Sequence, residues 1–394
     1  MSTRGNVRRS SRLGITALAI VTVVSLLGIG WAALGERGGR SLQARLATIP
    51  EPGAGSAAGF ARAEGPRAFD FPADHGPHLD FQTEWWYYTG NLEAADGRHF
   101  GYQLTFFRRG LVPPGERQQR PSSWATEQVY MAHFAITDVA GQEHCFFERF
   151  SRGAAGLAGA EAAPYRVWLE NWRVTTAADG VYYLQASQDG WALELQLVDR
   201  KGPLLQGEDG YSRKGADPGN ASYYISQTRL ETTGAVTVGG TTYLVDGSSW
   251  MDHEFSTSAL AADQVGWDWF ALQLDDGREL MLFHIRTVGG DIAPYASGTL
   301  VETDGSLVRL GEADFSLVVQ ETWRSPHSGA VYPARWTVTV PAAGLALDVA
   351  PYVADQELVV SFVYWEGAVQ VGGTVAGSGY VELTGYAGSM AGQF

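Results

Sequence analysis

Short runs of alternating apolar and polar residues, separated by glycine, aspartate and asparagine, recur from about residue 70 to the end of the sequence. A period of two is typical of β-strands with one buried face, and the turn residues between the runs favour tight hairpins. In segment 83–109, for example, TEWWYYTGNL and RHFGYQLTFFRR flank AADG. Long amphipathic helical patterns are absent, so the sequence predicts an all-β protein, either a sandwich or a barrel.

One internal sequence repeat, called the echo below, predicts how this β structure is organised. The segment VDGSSWMD at 245–252 resembles VAGSGYVE at 375–382, and the two copies are 130 residues apart. Both copies lie where a domain would end, so we expect two related β-domains, at 70–255 and 256–394. Closed or nearly closed barrels are favoured for both domains because closure removes exposed edge strands.

The N-terminus predicts a membrane-directed segment. Residues 14–34 carry no charge and follow a basic stretch. As a helix they would extend about 31 Å, enough to cross a bilayer. Residues 1–35 are therefore interpreted as a signal or anchor helix, and 36–69 as a flexible linker. An uncleaved anchor and a cleaved signal both remain open. Either would place the body outside the cytoplasm, in the periplasm or at the cell surface.

Charge and cysteine content exclude several classes of function. The net charge is −15, although the first 45 residues are rich in arginine, so the remainder is strongly acidic. An acidic surface repels phosphate backbones, and we expect no nucleic-acid partner. The single cysteine, Cys145, excludes an internal disulfide framework and any site with several cysteine ligands. No histidine pair has the H-x-x-x-H spacing, and no metal site is predicted.

Several long motifs occur in a fixed order along the chain. They are TEWWYYTGNL at 83–92, SWMDHEF at 249–255, GWDWF at 266–270, YWEG at 364–367 and GYVELTGY at 379–386. With these motifs the chain resembles the carotenoid 1,2-hydratase (hydroxyneurosporene synthase) and AttH-like family over almost all of 78–388. The resemblance implies two tandem lipocalin-like β-barrel domains.

The resemblance implies two different functions. One is an enzyme of the hydro-lyase class that acts without a cofactor on an apolar, isoprenoid- or polyketide-like molecule, by hydration or isomerisation. The other is a carrier of a lipid or other hydrophobic ligand, associated with an ABC transporter. In both cases the ligand would lie in an aromatic cavity near the domain junction, and the N-terminal segment would contact the membrane.

The hairpin at 267–286 supplies the first candidate residues. If 276–277 form a two-residue turn, residue 269 faces 284 and residue 267 faces 286. One face then carries the candidate ligand-binding residues Trp267, Trp269, His284 and Arg286. Asp268 lies on the opposite, apolar face, where burial would raise its pKa and leave a protonated acid for catalysis. Register alone does not decide which face lines the cavity.

A second candidate catalytic cluster is Asp252-His253-Glu254. In a strand, Asp252 and Glu254 share one face and His253 points to the other, so only one subset can face a common site. Family hydratases are thought to use a histidine and an aspartate near this junction, and the resemblance assigns those roles to His253 and Asp268. Phe255 stands where those hydratases tend to have tryptophan, and Glu382, the counterpart of Asp252 in the echo, has no adjacent histidine.

The remaining candidate ligand-binding residues are Glu84, Trp86, Tyr88 and His133. The first three share one face of their strand, and they either bind ligand or fill the barrel core. His133 is either a ligand contact or a hydrogen-bonded barrel histidine. The surroundings of Asp268 should separate the two functions: a buried carboxyl beside aromatic rings favours an enzyme, whereas a salt bridge to arginine favours a carrier.

Overall fold

The structure is a computed structural model that describes residues 57–391, apart from residue 119, residues 178–179 and residue 259. The predicted signal or anchor helix at 1–35 and residues 36–56 of the linker lie outside the described residues. Within the described residues, no helix combines the length and the apolar character needed to span a membrane.

The fold is nearly all β and consists of two tandem barrel-like domains, as predicted: a nearly closed barrel followed by a half-barrel. The strands of the first sheet are β1 Thr83–Ala94, β2 His99–Gly110, β3 Gln128–Asp138, β4 Glu143–Arg152, β5 Ala158–Ala162, β6 Tyr165–Leu169, β7 Trp172–Thr176, β8 Tyr182–Gln188, β9 Trp191–Asp199, β10 Leu204–Leu205, β11 Tyr211–Arg213, β12 Ala221–Val238 and β13 Thr241–Ser258. Their order is β4-β3-β2-β1-β13-β12-β9-β8-β7-β6-β5, and β10 and β11 pair with β12.

The second sheet forms the half-barrel. Its strands are β14 Gln264–Leu274, β15 Glu279–Thr287, β16 Ser297–Val301, β17 Leu307–Gly311, β18 Ser316–Arg324, β19 Val331–Val340, β20 Leu345–Pro351, β21 Glu357–Val359, β22 Val363–Gly373 and β23 Gly377–Leu383. Their order is β17-β16-β15-β14-β23-β22-β20-β19-β18, and β21 pairs with β22. Short 3-10 turns lie at Ala73–His75, Pro114–Glu116, Glu312–Asp314 and Pro341–Ala343.

Sequence alternation accounts for the strands and their hairpins. Strand β9, with sequence WALELQLVD, buries every second side chain over its first seven residues. It is joined to β8 by a two-residue turn in which Asp189 and Gly190 both have positive φ, and Gln188 pairs with Trp191. This left-handed geometry matches the twist of the flanking strands, which is why Asp-Gly is favoured there.

Each sheet encloses its own core, and the two sheets also pack against each other. Trp86, Phe100 and Trp172 belong to the first core, and Trp336 and Trp365 to the second. A third apolar cluster joins the outer faces of the sheets, where β1 lies against β23, β2 against β22 and β12 against β14.

A buried lysine ties the two domains together at one edge of this contact. Lys201, in the loop after β9, donates hydrogen bonds to the carbonyl oxygens of Gly277 (2.8 Å) and Glu302 (2.9 Å). Its ammonium also lies 2.8 Å from Glu279, whose carboxylate is fully buried. These contacts fix the β14–β15 turn against the first domain.

The register predicted for the 267–286 hairpin is wrong by one residue. The turn contains three residues, Asp275 to Gly277, so Trp269 pairs with Phe283 and Asp268 pairs with His284. A shift of one residue moves a side chain to the opposite face of the sheet. Trp267 and Trp269 therefore share their face with Phe283 and Ile285, whereas His284 and Arg286 share the face of Asp268.

Candidate functional site

A cleft lies between the outer faces of the two sheets, close to the junction at 258–264. It contains about 790 Å³ of empty space, part of which is open to solvent. Aromatic side chains from both domains form its walls: Trp85, Tyr87 and Phe107 from the first, and Trp267, Trp269 and Phe283 from the second. Four ionisable groups also line it, namely Asp252, Glu254, Glu382 and Lys214.

Asp252 is a fully buried carboxyl in the wall contributed by the first domain. Its Oδ1 accepts hydrogen bonds from Ser226 Oγ (2.5 Å) and Trp250 Nε1 (2.7 Å), and its Oδ2 accepts one from the Tyr224 hydroxyl. Burial raises the pKa of Asp252 to about 7, although the three donors act in the opposite direction. Near neutral pH this group can therefore either give or accept a proton.

Glu382 is the equivalent group in the wall contributed by the second domain. Asp252 lies opposite Tyr87 in the β1–β13 pair, and Glu382 lies opposite Trp269 in the β14–β23 pair. Burial also raises the pKa of Glu382 to about 7, against a 3.1 Å hydrogen bond from Trp267 Nε1. The internal echo at 245–252 and 375–382 thus places one carboxyl on each of two facing walls.

Glu254 and Lys214 form an ion pair in the same cleft. Lys214 Nζ lies 3.4 Å from Glu254 Oε2 and 4.3 Å from the centre of the Phe283 ring. Ser222 Oγ also donates a hydrogen bond to Glu254. Because this carboxylate has a cationic partner, Asp252 and Glu382 are the cleft acids without a lysine or arginine in contact among the described residues.

Hydrogen bonds join the two domains beside the cleft. Trp269 Nε1 of the second domain donates to the Tyr224 hydroxyl (3.0 Å), which in turn donates to Asp252. In the opposite sense, the Tyr87 hydroxyl of the first domain donates to Glu366 of the second. Each domain thus positions either a carboxyl of the other domain or the tyrosine bonded to such a carboxyl. The geometry of these acids therefore depends on both domains.

His253 lies on the other face of β13, inside the first barrel, as the alternation predicts. Its Nε2 is 2.9 Å from Glu84 Oε1, and its ring stacks on Trp86 with centroids 5.0 Å apart. Burial lowers the pKa of His253, although Glu84 acts in the opposite direction. His253 and the Asp252–Glu254 pair therefore face different compartments.

Glu84 is the centre of a buried polar cluster in that barrel. It accepts a 2.8 Å hydrogen bond from Arg108 Nε, and its Oε1 lies 2.9 Å from His78 Nδ1. Burial alone would raise the pKa of Glu84, but the guanidinium of Arg108 and the two histidines outweigh it and lower the pKa. Trp86 fills the core beside this cluster, and Tyr88 is bonded to Tyr165 (2.7 Å), so both are core residues.

Three of these groups are spaced closely enough to hold a metal ion. One ligand atom from each of His78, Glu84 and His253 lies within 4.8 Å of the others. However, both histidines already bond the same Glu84 oxygen, and Arg108 already neutralises that carboxylate. The arrangement therefore fits a hydrogen-bonded ion cluster better than a cation site.

Asp268 lies inside the half-barrel and does not face the cleft. Arg286 Nε donates to Asp268 Oδ1 (3.0 Å), and the Tyr386 hydroxyl lies 3.1 Å from both carboxyl oxygens. Burial raises the pKa of Asp268, against the opposing effect of Arg286. His284 shares this face, stacks on Phe315, and has its pKa lowered to about 4 by burial. His253 and Asp268 therefore lie in different barrels, and the structure does not bring them together.

The residues that line the cleft thus differ from the set of site residues predicted from the sequence. Trp267 and Trp269 line the cleft with Asp252 and Glu254, whereas the other predicted residues lie in the two barrels or, for His133, behind the cleft wall. Sequence reasoning missed Glu382 and Lys214 as cleft residues. The sequence signal for Glu382 is the echo, which aligns it with Asp252.

The fold and cleft together define a protein of two lipocalin-like domains with an acidic, aromatic site between them. The AttH-like family matches residues 62–386, and the chain belongs to that family. A crystal structure of an AttH candidate from Nitrosomonas europaea is 35% identical, with a TM-score of 0.75, over 83% of this chain and 99% of that one.

Another solved structure is related more distantly. Kievitone hydratase from Nectria haematococca is 14% identical, with a TM-score of 0.62, over 84% of this chain and 96% of that one. At this identity the likeness shows the fold alone. None of the curated proteins compared with this chain matches it.

Proposed function

We propose that this protein is an enzyme that hydrates or isomerises a carbon–carbon double bond of an apolar small molecule held in the interdomain cleft. The observation that carries the proposal is a pair of carboxyls on facing aromatic walls, that of the buried Asp252 and that of the partly buried Glu382. Burial raises the pKa of each to about 7. A pair poised near neutral pH can supply one protonated acid and one carboxylate base.

The chemistry of hydration fits these groups. One carboxylic acid would transfer its proton to an alkene carbon, and the positive charge that develops on the adjacent carbon would be stabilised by the aromatic faces. The other carboxylate would take a proton from a water molecule as the water oxygen bonds to that carbon. The product contains the alkene plus one water, and the proton gained by the base balances the one lost by the acid.

Isomerisation would use the same groups without water. After the acid protonates the alkene, the opposite carboxylate would remove a proton from a neighbouring carbon, which moves the double bond. The size of the cleft and its aromatic walls favour a flat or polyene-like ligand of the isoprenoid or polyketide kind. Kievitone hydratase, which shares the fold, is a hydratase by name, and the proposal gives this chain chemistry of that class rather than its substrate.

A carrier of hydrophobic ligands is the second candidate. The ion pair of Asp268 with Arg286 favours it, because that carboxyl is held as a structural partner rather than as a free acid. In this case the cleft would bind a lipid-like molecule and deliver it to an ABC exporter. For either function we propose a location outside the cytoplasm, supported by the uncharged segment 14–34, with that segment in contact with the membrane.

Ligand capture followed by turnover separates the two functions. Native mass spectrometry of the protein purified from its own host identifies the retained molecule, which is then incubated with the protein in isotopically labelled water. An enzyme converts it, with label in the product if it is a hydratase, and Asp252→Asn and Glu382→Gln lose that conversion. Asp246→Asn, an exposed position of the same strand, is the matched control and keeps it.

Two results would contradict the enzyme. If the ligand is retained but never converted, the carrier takes its place. If Asp252→Asn and Glu382→Gln convert the ligand at the rate of the unaltered protein, the assignment of the two acids is wrong. If the protein stays empty when soaked with terpenoids, polyketides and fatty acids, neither function involves an apolar ligand.

A further inference from the structure

A line of buried polar side chains runs from the protein surface to the back of the cleft. It starts at Glu148 in β4, passes His133 in β3 and Tyr364 in β22, and ends at Glu366 and Tyr87. His133, Tyr364 and Glu366 are each at most 1% exposed. The line crosses from the first domain to the second at Tyr364.

The outer end of the line is a carboxylate with access to water. The Glu148 side chain is 17% exposed, and its Oε1 lies 3.1 Å from His133 Nε2. Ser361 donates from its backbone N–H (3.0 Å) and its hydroxyl (2.8 Å). Burial alone would raise the pKa of Glu148, but these hydrogen bonds outweigh it and lower the pKa. An ionised Glu148 is an acceptor, which assigns the Nε2–H donor to His133.

The middle of the line is the contact between His133 and Tyr364. His133 Nδ1 lies 2.7 Å from the Tyr364 hydroxyl, and in the neutral ring with its proton on Nε2 this nitrogen is the acceptor. The hydroxyl also accepts a 3.1 Å hydrogen bond from Gln103 Nε2. A hydroxyl has one proton to donate and two lone pairs, so Tyr364 retains room to accept one more hydrogen bond.

The inner end of the line is a carboxylic acid beside the cleft. Glu366 lies two residues from Tyr364 on the same face of β22. Burial and the neighbouring Glu382 raise the pKa of Glu366 well above its usual range, which favours the protonated carboxyl. Its Oε1 accepts from the Tyr87 hydroxyl, while Oε2 is buried and makes no close hydrogen bond to the described residues.

Glu366 is also the direct neighbour of a cleft acid. Glu366 and Glu382 are cross-strand partners in the β22–β23 pair, so their side chains lie on the same face of the sheet. Tyr87, which bonds Glu366, lines the cleft itself. Protonation of Glu366 is therefore coupled to the charge of the cleft acid that the proposed chemistry uses.

We propose that Glu148, His133 and Tyr364 form a proton path that joins solvent to Glu366 behind the cleft. The path rests on the proposed function for its purpose, because the cleft acids must exchange protons with solvent to return to their starting protonation states after each turnover. In one direction the Glu366 carboxyl passes its proton to the Tyr364 oxygen, Tyr364 passes its own to His133 Nδ1, and His133 Nε2–H passes its own to Glu148. Each intermediate group gains and loses one proton, and Glu148 releases the last one to water.

Hydrogen–deuterium exchange at the Glu366 carboxyl tests the path without any ligand. Infrared spectroscopy records the stretching band of the protonated carboxyl after transfer into heavy water, and Glu366→Gln assigns that band. If the path operates, Tyr364→Phe and Glu148→Gln slow the exchange by roughly tenfold or more, because exchange then requires local opening of the structure. His133→Phe should have the same effect.

Two control variants separate a proton path from general loosening of the interior. Tyr102→Phe removes a buried hydroxyl that donates to Ser249, and His144→Phe removes a buried histidine that bonds Thr137; neither lies on the line. In both control variants the Glu366 carboxyl should exchange at the rate seen in the unaltered protein, or faster if the substitution loosens the interior. In the variants of the path the same carboxyl should exchange more slowly. A packing defect would not slow the exchange.

The proposal is overturned if Tyr364→Phe and Glu148→Gln both exchange as fast as the unaltered protein. Glu148, which is partly exposed, keeps the test usable if substitution of a buried residue prevents folding. The assay contains no ligand, so its result is independent of turnover. Slow exchange in the path variants of a protein that converts no ligand would support the path and refute the proposed enzyme.

Discussion

Replacing Asp252 with asparagine should remove a loss of stability that the unaltered protein undergoes as the pH rises from about 5 to about 8. Burial raises the pKa of Asp252 to about 7, so the folded state holds a proton that the unfolded chain releases near its ordinary pKa of 3.8. A group whose folded pKa is raised favours folding below the unfolded pKa, and that contribution is lost as the pH rises through the folded pKa. Asparagine keeps a neutral side chain of the same shape and does not titrate.

The magnitude follows from the two pKa values. Each unit of pKa difference corresponds to about 1.4 kcal/mol, so the full shift represents roughly 4 kcal/mol of unfolding free energy. Between about pH 5 and about pH 8 the unaltered protein should lose about 2.5 kcal/mol through this group alone. Asp252→Asn should lack that loss, so its stability relative to the unaltered protein should improve by the same amount over this window.

Urea unfolding measured across that pH window tests the expectation. Asp246→Asn is the control because it makes the same chemical change at an exposed position of β13. Its stability should track that of the unaltered protein at every pH. If the difference between Asp252→Asn and the unaltered protein is independent of pH, the carboxyl is not held protonated by burial, and the assignment of acid chemistry to it fails.

Three further changes test other parts of the structure. Glu84→Gln should cost about 3–5 kcal/mol in urea unfolding, because it leaves the buried guanidinium of Arg108 without a charged partner; adding Arg108→Met should recover part of the loss, and a single variant of unchanged stability would contradict the ion cluster. Lys201→Met should cost about 2 kcal/mol, because its ammonium contacts Glu279 and two carbonyl oxygens across the domain contact; an unchanged thermal midpoint would mean that the contact does not hold the domains together. Gly266→Ala should lower the thermal midpoint by several degrees or more, since its Cβ would lie 2.4 Å from the backbone carbonyl oxygen of Thr384, just after β23; full stability would show that the backbone can shift there.

The fold class could be predicted because its signals are local. Alternation, turn residues and the echo at 245–252 and 375–382 each occur within a few residues, and they gave the all-β class and the two barrel-like domains. The alternation of β13 also separated His253 from Asp252 and Glu254 correctly, since the two faces of a strand follow from its geometry alone.

The hairpin register could not be predicted with the same certainty. The sequence Asp275-Asp276-Gly277 permits both a two-residue and a three-residue turn, and the choice between them changes the face of every later side chain. The wrong choice placed His284 and Arg286 with Trp267 and Trp269. It also left Asp268 without the arginine that the structure pairs with it.

The composition of the cleft depends on packing between sheets, which leaves no local signal. Tyr87 and Glu366 are 279 positions apart and become hydrogen-bonded partners only when β1 lies near β22 and β23. Likewise, Lys214 directly follows the short strand β11 and lines the cleft. Such contacts require the relative placement of two domains, which strand patterns do not encode.

The position of the two cleft acids has a stereochemical consequence. Asp252 belongs to the sheet of the first domain and Glu382 to the facing sheet of the second, so a flat ligand between them would present one molecular face to each carboxyl. A proton from one wall and water activated at the other would reach opposite faces of the double bond. Hydration in this cleft would then be an anti addition, and a deuterium label in the product would give its relative configuration.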